Sequence, residues 1–437
     1  MRRVTALILI LFLGSGQLLR AQDYSELSLA LAQGKYSEVV SKGRLLIDSA
    51  GPTGKLLELV AIAHEGLEQR EPALECYQRA LPLSTDSLRI QNSIGRCLVG
   101  LGRSREASAV FITVLEADTT NFFANNQLAK IYYSQSNYVK AISIYSKLAA
   151  MDTTNYVFYK LLGDCYSRME KNSEAIDFYT KGFKINPRDA ALGVSLAICH
   201  LKSGLLNPTL AVIDEAQRYD SLNVSLLRYE GICYMYKKEY EKSDSLFYKL
   251  VEMGDTTFFT LSRLGQSLLG RNYIYKAIKP LEQAYVLDST DYDVLMRLAY
   301  ASYQVVGPEK GLLYYDKLEA GLQPEKGRLA AVFSGRADIY YSTKNYDAAQ
   351  EWYKKAYATD PANLLYLANM GRSLYYNKEY AKSKRCYLEF VETYERLSSA
   401  GHNFMSDPPV MANYSMIKAY LKELEGSKDS KPPARIH

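Results

Sequence analysis

Apolar residues recur every three or four positions along most of the chain, in stretches of about a dozen, which is the period of amphipathic helices and too long for strands. Short polar breaks divide these stretches in two ways. Within a pair of stretches lie Gly34-Lys35, Ser136-Asn137 and Lys344-Asn345. Between pairs lie Asp118-Thr119-Thr120-Asn121, Asp152-Thr153-Thr154-Asn155, Asp288-Ser289-Thr290-Asp291 and Asp360-Pro361. Asp, Thr, Ser and Asn there predict caps, because their side-chain oxygens accept hydrogen bonds from the free amides that open a helix.

The pairs form a fixed repeat. Small residues fall at Ala61, Gly95, Ala129, Gly163, Ala197, Gly231, Gly265 and Ala299, each 34 residues after the last. Twelve residues after each come Ala73, Ala107, Ala141, Ala175, Thr209, Ser243, Ala277 and Gly311. Four further on stand Tyr77, Phe111, Tyr145, Tyr179, Ile213, Phe247, Leu281 and Tyr315. The register slips by four residues to Ala337, Ala349 and Tyr353, then resumes at Gly371, Ser383 and Tyr387. A weaker first copy holds Leu27 and Val39 in the same phase. The two small positions let paired helices approach, and the ring fills space against the next pair. No hairpin buries its apolar faces alone, so the pattern predicts an all-α solenoid of about eleven helix-turn-helix repeats over residues 22–397.

The chain resembles the tetratricopeptide repeat family. The fifth copy carries the likeness best, with Tyr159-x2-Leu162-Gly163-x2-Tyr166, then Ala175-x3-Tyr179 and Pro187. Tyr159 stands where the family prefers Trp. The closing Pro, kept at Pro187 and Pro361, is elsewhere mostly Thr or Ser. The sixth copy departs at His200 and Thr209, the ninth at Gly311, and four extra residues fall between Gly321 and Arg328. The resemblance implies a right-handed superhelix whose first helices line a concave groove that binds protein segments. Mapped onto this chain, the groove positions include Phe123, Lys130, Tyr133, Lys160, Asp164, Arg168, Val194, Ile198, Leu201, Arg228, Ile232, Met235 and Tyr236. They continue with Phe259, Met296, Tyr300, Tyr303, Asp338, Tyr341, Arg372, Tyr375 and Tyr376. The later positions form a Tyr stripe, either a recognition surface or internal filler, since Tyr also packs this array from within. The earlier ones, with Arg89 and Arg96, are more basic, as a docking patch or a solvated face. Family members that grip a C-terminal carboxylate use Lys and Asn at set positions. Asn126 and Lys130 occupy these in swapped order, so that clamp is not expected.

Cys97, Cys165, Cys199 and Cys233 share one position of the first helix, where the family keeps a small buried residue. Packed neighbours there lie about 8–10 Å apart, beyond the roughly 7 Å that a disulfide spans, so they read as free core thiols. Cys76 with Cys97 is the pair left open. After the last repeat, residues 398–409 read as a loop. Val410–Glu425 reads as a capping helix with Met411, Tyr414, Ile417, Leu421 and Leu424 on one side, and residues 426–437 as a disordered tail.

Residues 1–21 form a targeting segment. Arg2 and Arg3 precede the apolar run Ala6–Leu13, and Leu19-Arg20-Ala21 leads to a cleavage point before Gln22. The run is too short to span a bilayer comfortably, and no later stretch approaches the length of a membrane helix. The formal charge of +5 falls to +2 without Arg2, Arg3 and Arg20, since that segment holds no acid. Near-neutrality lacks the signature of a nucleic-acid binder. His64, His200, His402 and His437 are scattered, with no metal-ligand spacing, phosphate-binding Gly loop or nucleophile elbow. The sequence therefore reads as a non-catalytic scaffold without cofactor or metal, exported to a periplasm (or the cell surface, or secreted), with envelope or secreted proteins as partners. A glycan- or peptidoglycan-binding module and a self-associating structural component are the alternatives.

Overall fold

The computed structural model describes residues 23–321, 326–402, 404 and 407–426, so the expected targeting segment and nearly all of the expected tail lie outside the described residues. Regular structure among the described residues is helical, with no strand. The chain divides between Asp220 and Ser221 into two compact units.

The first unit contains α1 (23–32), α2 (Tyr36–Ala50), α3 (Gly54–Gly66), α4 (Arg70–Ala80), α5 (Ser87–Gly100) and α6 (Ser104–Ala117). It continues with α7 (Phe122–Ser134), α8 (Tyr138–Met151), α9 (Tyr156–Arg168), α10 (Asn172–Ile185), α11 (Ala190–Lys202) and α12 (Leu206–Gln217). The second holds α13 (Val224–Tyr236), α14 (Tyr240–Glu252), α15 (Phe258–Gly270), α16 (Ile274–Leu287), α17 (Tyr292–Val305) and α18 (Pro308–Gly321). Then come α19 (Lys326–Ser342), α20 (Tyr346–Thr359), α21 (Leu365–Tyr376), α22 (Tyr380–Ser399) and α23 (Pro408–Gly426). Within each unit successive helices pack on one another and first helices touch the next first helix, which is the solenoid arrangement. Six hairpins fall in the first unit, and five plus α23 in the second.

The sequence signals correspond to physical contacts. A Cβ on Gly95 would lie 2.4 Å from the ring of Phe111, one on Gly163 2.4 Å from Tyr179, and one on Gly371 2.5 Å from Tyr387. The small residue of the first helix is therefore the seat of the ring on its own second helix. The same ring also meets the next repeat: Phe111 stands edge-on to Phe123 at 6.1 Å. Caps occur where expected. Asn121 accepts from the amide of Ala124 at 3.0 Å, Asn155 from Val157 at 3.2 Å, and Asp189 from Leu192 at 3.0 Å. Thr120 bonds Asp118 through both amide and hydroxyl.

Within hairpins the chain reverses through one left-handed residue, which also recurs at 34-residue spacing. Gly34, Gly102 and Gly204 take that role, but so do Glu68, Ser136, Glu170, Lys238, Asn272, Lys344 and Lys378, with φ near +60°. At Ser136 the amide of Asn137 bonds the carbonyl of Tyr132 at 2.8 Å, and that of Ser136 bonds Tyr133 at 3.0 Å, closing a Schellman motif.

The four-residue slip has a simple resolution. Helices α3, α5, α7, α9, α11, α13, α15, α17 and α21 begin six to eight residues before their small residue, as α15 does seven before Gly265, whereas α19 begins at Lys326, eleven before Ala337. The insertion adds about one helical turn to the front of α19. Arg336 then joins α19 to α18 through Asp316 at 2.7 Å and Glu319 at 2.8 Å.

The capping helix covers α21 and α22 with a face that keeps Tyr414, Ile417 and Leu421 of the expected set and takes in Val410 and Tyr420 in place of Met411. Val410, Ile417, Tyr420 and Leu421 are buried, while Met411 is 40% exposed. Tyr414 stacks on Tyr394 at 4.0 Å. Leu424 has no described side chain. All six cysteines stand outside any disulfide, Cys76 and Cys97 included. Burial pushes the Cys97 and Cys165 thiols up to about 12.

Candidate functional site

In the first unit, the first helices α7, α9 and α11 carry the mapped positions. Phe123 is half-buried against Phe111, and Lys130 is exposed. Lys160 is committed to Asp189, the cap of α11, at 2.9 Å. Tyr133 and Arg168 come together, the guanidinium donating to the phenol. They share a cavity of about 560 Å³ with Asp164, Ser167, Glu170, Tyr179 and Lys202. Asp164 anchors its floor, accepting from the Tyr179 hydroxyl at 2.7 Å. Burial raises the Asp164 carboxyl above its ordinary value, opposed by the Tyr179 hydrogen bond and by Lys160 and Arg168.

The tie between Tyr179 and Asp164 recurs in two other hairpins. Tyr77 donates to Glu65 at 3.0 Å, and Tyr353 donates to Asp338. In each case the ring fills its own hairpin while its hydroxyl reaches a carboxylate on the first helix. At Phe111 the corresponding first-helix residues are Arg96 and Val99, and the ring there carries no hydroxyl. Tyr145, facing a first helix with Lys130 and Tyr133 in those places, leaves its hydroxyl without a partner.

The basic patch is largely internally compensated. Arg96 bonds Glu65 through Nε and Nη2 at 3.1 and 2.7 Å, and Arg89 grips Glu58, with Nη2 at 2.8 Å. Each carboxylate sits on the preceding first helix, so these pairs tie α5 to α3.

In the second unit, Arg228 is held by Asp255 at 2.7 and 2.8 Å and lies 5.5 Å from the centroid of the half-buried Phe259. Met235, expected at the groove, is only 5% exposed. It lies three residues from the buried Ile232, on a shared face covered by neighbouring helices. Tyr236 and Tyr300 are open, at 60% and 47%. Tyr303 donates to Ser342, the last residue of α19, the next first helix.

The rest of the Tyr stripe is a ring cluster. Tyr341 meets Tyr376 at 5.9 Å and Tyr346 at 5.7 Å, Tyr375 meets Tyr376 at 5.4 Å, and Tyr346 stacks on Tyr376 at 5.9 Å. Tyr375 also touches Tyr380 and, on the capping helix, Tyr420. Arg372 reaches Asn413 of that helix at 3.2 Å. Tyr341, Tyr375 and Tyr376 thus pack the end of the array, and the internal-filler reading accounts for their mutual contacts. The single Trp, Trp352, has Arg336 at 4.7 Å and Lys355 at 3.9 Å over its ring.

Among the described residues no group of His, Cys, Asp and Glu is arranged to hold a metal ion, and no helix is long and apolar enough to cross a membrane. The tetratricopeptide repeat profile matches residues 158–189 and 330–363, one stretch in each unit. No curated protein matches the chain in sequence. Among solved structures, YrrB, described as a TPR protein with an unusual peptide-binding site, is 22% identical over 43% of this chain and 95% of its own, with a TM-score of 0.38. Pseudomonas aeruginosa pilF is 18% identical over 48% and 95%, at 0.41. MamA from Desulfovibrio magneticus RS-1 is 17% identical over 39% and 96%, at 0.36. The matched stretches share the 34-residue period and the rings seated on small residues of the other hairpins, so the chain is similar to the tetratricopeptide repeat family in residues 158–189 and 330–363.

Proposed function

We propose that the protein is an exported, non-catalytic scaffold of the bacterial cell envelope that binds polypeptide segments on its first-helix faces. The observation that carries this reading is the cavity of about 560 Å³ at Tyr133, Asp164, Arg168 and Lys202. There the mapped residues Tyr133, Asp164 and Arg168 border an open volume together with Lys202. A half-buried ring beside donors and an anchored carboxylate suits a backbone segment with a polar side chain. The export half of the reading rests on residues 1–21.

A photoreactive residue at position 133, compared with one at the exposed Val139 on the adjacent second helix, tests the binding face in intact cells. Discrete adducts at 133 that are missing at 139 support the reading, and identical patterns refute it. Fractionation with N-terminal sequencing tests export, with a mature chain beginning at Gln22 as the expected result. Equal abundance of an uncleaved cytoplasmic form would overturn it.

A further inference from the structure

The first-helix face of α13, α15 and α17 carries Arg228, Arg263 and Arg297, and only Arg228 is fully matched, by Asp255. Arg263 donates to Gln266 at 2.7 Å through Nη1, and its guanidinium lies 5.8 Å from the centroid of Phe259. Its Nε is buried and has no hydrogen-bond partner. Arg297 stands 34 residues later, at the same place on the neighbouring first helix, and α15 and α17 touch. Its nearest acid is Asp293, 3.8 Å away and exposed, an arrangement that water and salt weaken. Asp291 is turned to capping α17 through Val294. Burial lowers the Arg297 guanidinium from its ordinary value; Asp293 opposes that, and the like charge of Arg263 adds to it.

Two partly buried guanidinium groups within reach of each other's field, one with an orphaned donor, make a poor arrangement for the chain alone. A bound carboxylate would correct both faults. We propose that Arg263 and Arg297 bind a carboxylate side chain of an acidic polypeptide segment lying across α15 and α17, a statement that rests on the scaffold reading above. The guanidinium fork fits a carboxylate, as the Arg228–Asp255 pair on the same face already shows. Asp291 and Asp293 disfavour a more highly charged phosphate. Phe259 and the open Tyr300 supply ring surface for residues flanking the acid.

The test uses the full mature chain and two short fluorescein-labelled peptides, one with Glu at alternate positions and one with Gln in their place. Anisotropy is read in salt of about 150 mM, where remote charges are screened. The Glu peptide is expected to bind about tenfold tighter than the Gln peptide, the scale of one charge-assisted contact. Arg263→Met and Arg297→Met should each erase most of that preference, while the free variants melt no lower than the parent. Arg297→Gln, which keeps hydrogen-bonding capacity, serves if a Met variant misfolds. Equal binding of the two peptides, or a preference that survives the variants, overturns the proposal. So does displacement by millimolar inorganic phosphate, which would make a free oxyanion the ligand. Crosslinking at position 133 reads the other unit, so failure here is separable from failure of the scaffold reading.

Discussion

Asp255 offers a direct measure of how much the cross-repeat polar ties contribute to folding. It is burdened by burial, yet Arg228, Thr260 and Thr257 hold its carboxyl at about 2, against an ordinary 3.8. The Thr260 hydroxyl donates at 2.5 Å and that of Thr257 at 2.9 Å. A carboxyl held that low stabilises the fold by roughly 2 kcal/mol at neutral pH, with Arg228 partly wet and the figure discounted accordingly. Because the folded value lies below the unfolded one, this contribution is complete above about pH 4 and is lost as pH falls through about 2. Asp255→Asn is expected to lower the urea midpoint at pH 7 by that free energy, using the slope shared by both proteins. The gap should narrow below pH 4 and close near pH 2. A gap that stays constant from pH 7 to pH 2, or none at pH 7, would show that the Arg228 pair contributes nothing net and refute the reasoning.

Other perturbations test other links. Gly163→Val places a branched side chain where even a Cβ would meet Tyr179 at 2.4 Å, and overpacking should destabilise by about 3 kcal/mol in a thermal melt; an unchanged melt would mean that the ring moves freely. Lys344→Gly relieves a left-handed backbone at φ 63° and is expected to stabilise by about 0.5–1 kcal/mol, the strain relieved exceeding the entropy of Gly; a lower urea midpoint would contradict this. With its thiol pushed up to about 12 and Cys97 buried, the native chain should resist a thiol reagent there at pH 8 until urea unfolds it. Mass-spectrometric mapping of early labelling to Cys97 would count against the packing described.

The fold was readable because its signal is steric. A ring needs a seat without a side chain, so Gly95 and Phe111 must keep their spacing whatever else varies. The left-handed turn was only partly readable, since Glu68, Ser136, Lys238 and Asn272 share a backbone angle and no chemistry. Groove residues were harder still. Lys160, Arg89 and Arg96 look free along the sequence because their partners, Asp189, Glu58 and Glu65, lie about 30 residues away at a neighbouring first helix. Counting back 31 residues from each arginine to its glutamate was the signal that could have exposed those pairs. Met235 failed for a related reason: a position number says which way a residue leaves its helix, but not how closely the neighbours cover it. For Tyr375 the repeat pattern left surface and filler open, because the Tyr420 that meets it comes from the capping helix, outside the repeat.

Because each helix of a unit touches only its neighbours, a tensile load on that unit would pass through its hairpins in series. Among the described residues the main helix contacts run between neighbouring repeats. The weakest hairpin would yield alone, releasing 34 residues, or roughly 115 Å of contour, before the next one bore the force. Under tension such a unit would lengthen in equal steps and rewind when slackened, the behaviour of a ratcheted spring and not of a rigid strut.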